Sequence, residues 1–181
     1  MSRYAAFLRG VNLGRHRRVS GADLRSLFAQ VGLRDVATFR ASGNVVFGSD
    51  RETPGQLASR IETHLASSLG FEVSVFLRTD AEILAIADHE PFDPELVNAS
   101  QGKLQVALLP AKPRPSARDQ VLALGTDEDR LTLRDRELYW LPSGGIRDSA
   151  LNFKAVESVL GPTTMRTKGT IEQLAAKFFA G

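Results

Sequence analysis

Apolar residues along this chain of 181 amino acids alternate between a spacing of two and a spacing near 3.6, in the same order twice. In the first half, 3–10 (RYAAFLRG) reads as a strand and runs into a loop rich in glycine and arginine. Ser20 then opens a helix, with Asp23 placed to complete a capping box and Leu24, Leu27, Phe28 and Val31 forming its apolar stripe. Residues 35–40 and 44–49 read as two strands joined through Ser42-Gly43. Thr53, Pro54 and Gln56 have the signature of a second helix start, and Leu57, Ile61, Leu65 and Leu69 line that helix. Residues 72–78 close the unit as a strand.

The second half repeats this order. Residues 103–109 form a strand, 116–124 a short helix, 130–134 and 137–141 a hairpin, 149–160 a helix and 163–166 a strand. The halves also end alike, LRTDAEILAIA (77–87) beside MRTKGTIEQLAA (165–176), each with a threonine positioned to cap a further amphipathic helix. The order predicts an α+β fold of two ferredoxin-like (βαββαβ) subdomains related by duplication, each followed by an extra helix. The expected boundaries are 1–90 and 103–181, with 91–102 as a linker that contains proline and asparagine.

Composition narrows the function classes. Hydrophobic residues make up 43% of the chain and charged residues 24%, the balance of a chain that buries a core. Apolar runs such as 106–109 are too short to span a bilayer, and the N-terminus has no secretory leader pattern, so a cytoplasmic protein without a membrane partner is expected. The absence of cysteine excludes disulfides, thiolate chemistry and cysteine-based zinc sites. His16, His64 and His89 are far apart in sequence, and the acidic run 88–95 lacks any metal-ligand spacing, so neither a metal nor a cofactor is expected. Net charge is +2, yet the first twenty residues hold Arg3, Arg9, Arg15, Arg17 and Arg18 and no acid. That asymmetry suits an anionic partner, although a charge run taken alone more often marks a solvated arginine cluster with none.

In a βαββαβ sheet the first and third strands are neighbours. The loop after the first strand therefore lies beside the hairpin that enters the third. This brings Arg9, Gly10, Asn12 and Gly14 towards Ser42, Gly43 and Asn44, near the start of the first helix. Arginine offers a planar fork, the glycines allow close backbone approach, and a helix N-terminus favours negative charge. The same residue types also suit plain turns. A weaker cluster in the second half comprises Arg147, Ser149, Arg166 and Thr170, with the glycine-rich loop at 142–149; it matches no phosphate-loop motif. The stretch RASGNVVF (40–47) shares Arg40, Gly43, Val45 and Phe47 with an RNA-recognition strand motif. Ser42 and Asn44 stand where base-stacking rings are needed, so that match is rejected.

The segments YAAFLRGVNLG, SGADLRSLFAQVGL and SGNVVF resemble a mainly bacterial family known as domain of unknown function 1697. The likeness extends over nearly the whole chain and is most specific in its first fifty residues. It implies an α+β fold of two ferredoxin-like subdomains and no established activity. Carried over by position, the characteristic residues are Arg9, Gly10, Asn12, Gly14, Ser42, Gly43 and Asn44. Near the C-terminus the family pattern is close to T-x-R-N-W-N-T, where this chain has Thr164 to Thr170 with Thr167, Lys168 and Gly169 at its centre, and Ala150 stands where a lysine is common. Three functions follow. One is a module binding an anionic ligand (nucleotide, phosphorylated metabolite or nucleic acid) at loop 9–20 beside hairpin 41–44. Another is an enzyme acting on a phosphorylated or carboxylated small molecule without a covalent nucleophile. The third is a structural module whose glycines serve only turns.

Overall fold

The structure is a computed structural model that describes residues 1–12, 15–40, 43–50 and 52–181. Its elements run in the order β1 (Ser2–Arg9), α1 (Gly21–Gln30), β2 (Arg34–Thr38), β3 (Asn44–Ser49), α2 (Pro54–Leu69), β4 (Ser74–Thr79) and α3 (Asp80–Asp88). The chain continues through α4 (Pro94–Ala99), β5 (Gln105–Leu108), α5 (Pro115–Leu122), β6 (Asp129–Arg134) and β7 (Glu137–Pro142). A single 3-10 turn at Ile146–Asp148 precedes α6 (Phe153–Leu160), β8 (Thr164–Thr167) and α7 (Lys168–Phe178). The fold is α+β with two four-stranded antiparallel sheets, ordered β2-β3-β1-β4 and β6-β7-β5-β8.

Two compact units follow: Met1–Ala85 together with Leu174–Gly181, and Ile86–Gln173. In the first, one face of the sheet packs on α1 and α2. Tyr4, Ala6 and Leu8 of β1 meet Val45 and Phe47 of β3, Leu24 and Phe28 of α1, and Leu57, Ile61 and Leu65 of α2. Phe47 stacks on Tyr4 at 5.8 Å and tilts against Phe28 at 5.5 Å. The opposite face of β1 carries Ala5 and Phe7, both fully buried, and then Arg9. In the second unit, Ala107, Leu133 and Leu138 of the sheet pack with Val121 of α5 and Val156 of α6.

The helix starts agree closely with expectation. Ser20 and Thr53 cap α1 and α2 through reciprocal boxes with Asp23 and Gln56. Thr79 Oγ1 accepts the Glu82 N–H at 3.3 Å, and Thr167 Oγ1 accepts the Thr170 N–H at 3.2 Å, so both Arg-Thr pairs end in a helix cap. Three local expectations need correction. The helix expected from Ser149 begins at Phe153 under an Asn152 cap, because the Ser149 hydroxyl instead donates to Asp129. The helix expected from 116 starts a residue earlier, with Pro115 at its first position, where no N–H is missed. Within 91–102 the chain forms a short helix, Pro94–Ala99, capped by the Asp93 carboxylate. Among the described residues no helix is long and apolar enough to cross a membrane.

Candidate functional site

The pairing of β1 with β3 sets the geometry beside the arginine loop. The Leu8 N–H donates to Gly43 O at 2.8 Å, which ties the end of β1 to the hairpin. Gly43 sits at φ +70, and a Cβ there would stand 2.9 Å from Val11 Cγ2 and 3.1 Å from Leu8 Cβ. Gly10, at φ +97, lies so close to the chain entering β4 that a Cβ would meet Glu72 O at 2.9 Å. Both positions therefore require glycine whatever else they do: Gly10 because backbone approaches it, Gly43 because side chains do, and both for their positive φ. Asn12 folds the loop over: it lies at φ 59, its N–H donates to Arg17 O at 2.6 Å, and its Oδ1 accepts the Val19 N–H at 3.2 Å.

Around these residues lies an open hollow of about 520 Å³, lined by the described residues Asn12, Arg18, Val19, Ser20, Gly21, Leu24, Arg40 and Gly43. It brings together the loop, the hairpin and the first turn of α1. Of the expected residues, Asn12 and Gly43 line it, while Gly14 and Ser42 lie outside the described residues. Arg9 is half-buried and, by strand alternation, shares the β1 face of Phe7, opposite the helices. Asn44 is 1% exposed, and its Nδ2 donates to Phe39 O at 3.0 Å while Phe39 N–H donates to Asn44 O. It holds the hairpin shut.

The cations that do line the hollow are Arg18 and Arg40. Both belong to stretches already suspected, yet neither stood out among so many arginines. The signals were positional: Arg18 lies two residues before a helix cap, and Arg40 opens the hairpin at φ 58. The Asp23 carboxylate accepts the Ser20 hydroxyl at 2.7 Å, so part of the helix's positive end is already answered from within. The described lining holds no carboxylate, imidazole or thiol. It can hold an anion and offers no acid or base.

The second cluster is divided by strand order. Ser149 Oγ donates at 2.6 Å to Asp129 at the start of β6, one edge of its sheet, while Arg166 lies on β8, the other edge. With β7 and β5 between them, the two edges alone are about 14 Å apart at ~4.8 Å per strand. Arg147 is exposed on the 3-10 turn, and Thr170 accompanies the α7 cap through a 2.8 Å contact with Thr167. Burial lowers the Arg166 guanidinium to about 10, which leaves it charged at neutral pH, and its Nη1 donates to Thr164 Oγ1 and Met165 O.

Sequence reading overlooked Asp129. It is 3% exposed, and its Oδ1 accepts the Trp140 indole N–H at 2.8 Å as well as the Ser149 hydroxyl. It lies in the acidic stretch 126–130, whose composition alone reads as a polar turn before a strand. His89, also in this unit, rests edge-on against Tyr139 at 5.0 Å. Burial, then Arg134 and Lys168 nearby, pushes its imidazole below the usual range. Among the described residues no three histidine or carboxylate side chains are grouped to hold a metal ion.

A family profile described as "Protein of unknown function (DUF1697)" matches residues 1–139. The match stops short of Ala150 and of 167–169. No curated protein matches the chain. Among solved structures, the conserved bacterial protein SP0830 from Streptococcus pneumoniae superposes with a TM-score of 0.71 at 22% identity, over 98% of each chain. At that identity the likeness is one of fold.

Proposed function

Because the chain belongs to the DUF1697 family, whose description assigns no activity, its function has to be read from its own site, and we propose that the hollow beside β1 binds a phosphate-bearing anion. The observation that carries this reading is the convergence of Arg18 and Arg40 on one concavity with the first turn of α1. Two guanidinium forks can grip phosphate oxygens in a bidentate manner, and the helix start adds favourable dipole. Arg18 and Arg40 supply the charge first sought in Arg9. Asn12, Gly43 and Asn44 hold the walls, and Gly10 lets the loop pass the chain that enters β4. The lack of an acid or base in the described lining favours binding over catalysis. The second-half cluster, from Arg147 to Thr170, is assigned a structural role.

The strand order and helix positions support a ferredoxin-like plan for each unit, and the matching ends of the units support duplication. Cytoplasmic residence suits a ligand of this kind. Thermal denaturation with added pyrophosphate tests the proposal. A ligand at about 100 times its Kd stabilises the fold by ~2.7 kcal/mol. Arg18→Ala and Arg40→Ala are each expected to remove most of that shift while leaving the unliganded transition in place. Equal shifts for wild type and both variants would overturn it.

A further inference from the structure

The hollow is one part of a longer line of positive charge. Asn12, in its lining, bonds to Arg17, whose guanidinium carbon lies 5.3 Å from the centre of the Phe71 ring. Gly21, on the opposite wall, faces Arg25, whose Nη1 lies 3.5 Å from where a glycine Cβ would stand and donates to Thr38 Oγ1 at 3.0 Å. Arg40 continues the line to Phe39, with 5.5 Å between guanidinium carbon and ring centre. Lys177, at the end of α7, approaches the same ring at 5.9 Å and Phe178 at 5.3 Å. Phe178 meets Phe39 edge to face at 6.1 Å. Arg17, Arg18, Arg25, Arg40 and Lys177 are all exposed, and the nearby Asp23 is engaged by its own helix cap.

A single phosphate needs two such cations; five along a connected rim suit a chain of phosphates. Phe39, Phe71 and Phe178 are half-buried, each with a cation against its ring, which gives the rim planar surfaces at intervals. An acidic peptide would use the charges but would leave the rings without a matching partner. Double-stranded nucleic acid presents its phosphates on a stiff, convex cylinder, whereas the rim bends into a hollow. A single strand can follow that bend and turn its bases towards the rings. We infer that the rim from Arg17 through Arg18 and Arg40 to Lys177 is a binding track for single-stranded nucleic acid, whose backbone enters the hollow. This rests on the reading of the hollow as a phosphate site and names its ligand class. It does not depend on the strand-motif match rejected above, since none of its rings comes from that pattern.

Fluorescence anisotropy with a labelled oligothymidylate of about twelve nucleotides, within the usual site size, tests the inference at several salt concentrations. Four or five engaged cations predict that log Kobs falls against log[salt] with a slope of about −3, at ~0.7 per neutralised phosphate. Arg25→Ala and Lys177→Ala, both outside the hollow, should each weaken binding severalfold and reduce the slope by about 0.7. Arg114→Ala, at an exposed arginine of the other unit, should change neither. Phe39→Leu should weaken binding about tenfold if a base stacks there. Duplex DNA binding as tightly as the single strand would overturn the inference. So would a slope near −1 that ignores Arg25 and Lys177. If pyrophosphate still gives a shift sensitive to Arg18 and Arg40, the phosphate site stands and only the track falls. If neither ligand binds, both readings fall together.

Discussion

The two units share a frame down to individual hydrogen bonds, and they part company at one end of the sheet. In the first, Glu62 of α2 accepts the Val75 N–H at the start of β4; in the second, Glu157 of α6 accepts the Thr163 N–H just before β8. Arg78 and Arg166 each donate Nη1 to the carbonyl of the preceding residue at 2.8 Å. The Leu8 bond to Gly43 has its counterpart in Leu109 N–H donating to Arg136 O, also at 2.8 Å. The loops differ. Eleven residues connect β1 to α1 and five connect β2 to β3, against six between β5 and α5 and two between β6 and β7. Both extra lengths lie beside the hollow, and Arg18 and Arg40 come with them. Devices found in both units are what the frame needs to stand; a feature built in one alone is where function has room.

If the frames are equivalent, their cores should respond alike to truncation. Phe47→Ala, which removes a ring packed on Tyr4 and Phe28, should cost about 3–5 kcal/mol, and Leu138→Ala at the centre of the other core about 2–5. Urea unfolding of both variants checks this. A small loss at one site only would break the comparison at its base. The Asp129 network should separate the units, because the first has no such cluster in its described residues. Asp129→Ala strands the buried Trp140 Nε1 and the half-buried Ser149 Oγ, at a cost of about 2–4 kcal/mol. Trp140 is the chain's single tryptophan, so its emission should shift red in the folded variant, while pyrophosphate binding should stay as in wild type. A loss of pyrophosphate binding would tie function to the second unit and undo the contrast.

The Arg-Thr ends test the repeat more finely. Thr79→Ala and Thr167→Ala each remove a cap that accepts a backbone N–H, and each should cost ~1 kcal/mol in urea unfolding. The two losses should agree closely. A negligible loss at one of them would mark that cap as unneeded and weaken the equivalence.

These caps were legible in the sequence because capping is local: a threonine three residues before the N–H that its hydroxyl accepts is visible without a structure. The succession of strands and helices along the chain was equally legible, since periodicity marks which segments are extended and which are helical. What escaped was non-local. Arg9 looked like the anion's fork because it borders the loop, but the described lining of the hollow takes its cations from Arg18 and Arg40, and strand alternation puts Arg9 on the β1 face of Phe7. Asn44 looked like a donor for ligand, but the hairpin takes its amide for Phe39 O. Ser149 looked like a helix start because only the fold reveals that Asp129 lies within reach. The acidic run around Asp129 hid a buried carboxylate, since charge patterning cannot show which acid turns inward.

The smallest expected effect concerns pH and again separates the units, since His89 belongs to the second. Its ring lies against the buried Tyr139, and burial with the nearby Arg134 and Lys168 disfavours its protonated form. The folded-state value is therefore lower than that of the unfolded chain, near 6.5. Above the unfolded value both states hold a neutral imidazole, and the group makes stability no steeper in pH. As pH falls below it, the unfolded chain takes up the proton first, and stability drops until the folded value is passed. His89→Gln should flatten the decline in unfolding free energy between about pH 7 and 5, with little change at pH 8. Its effect is modest because the ring keeps partial access to solvent, where water screens the neighbouring charges. An identical decline in both proteins would place the titrating group elsewhere.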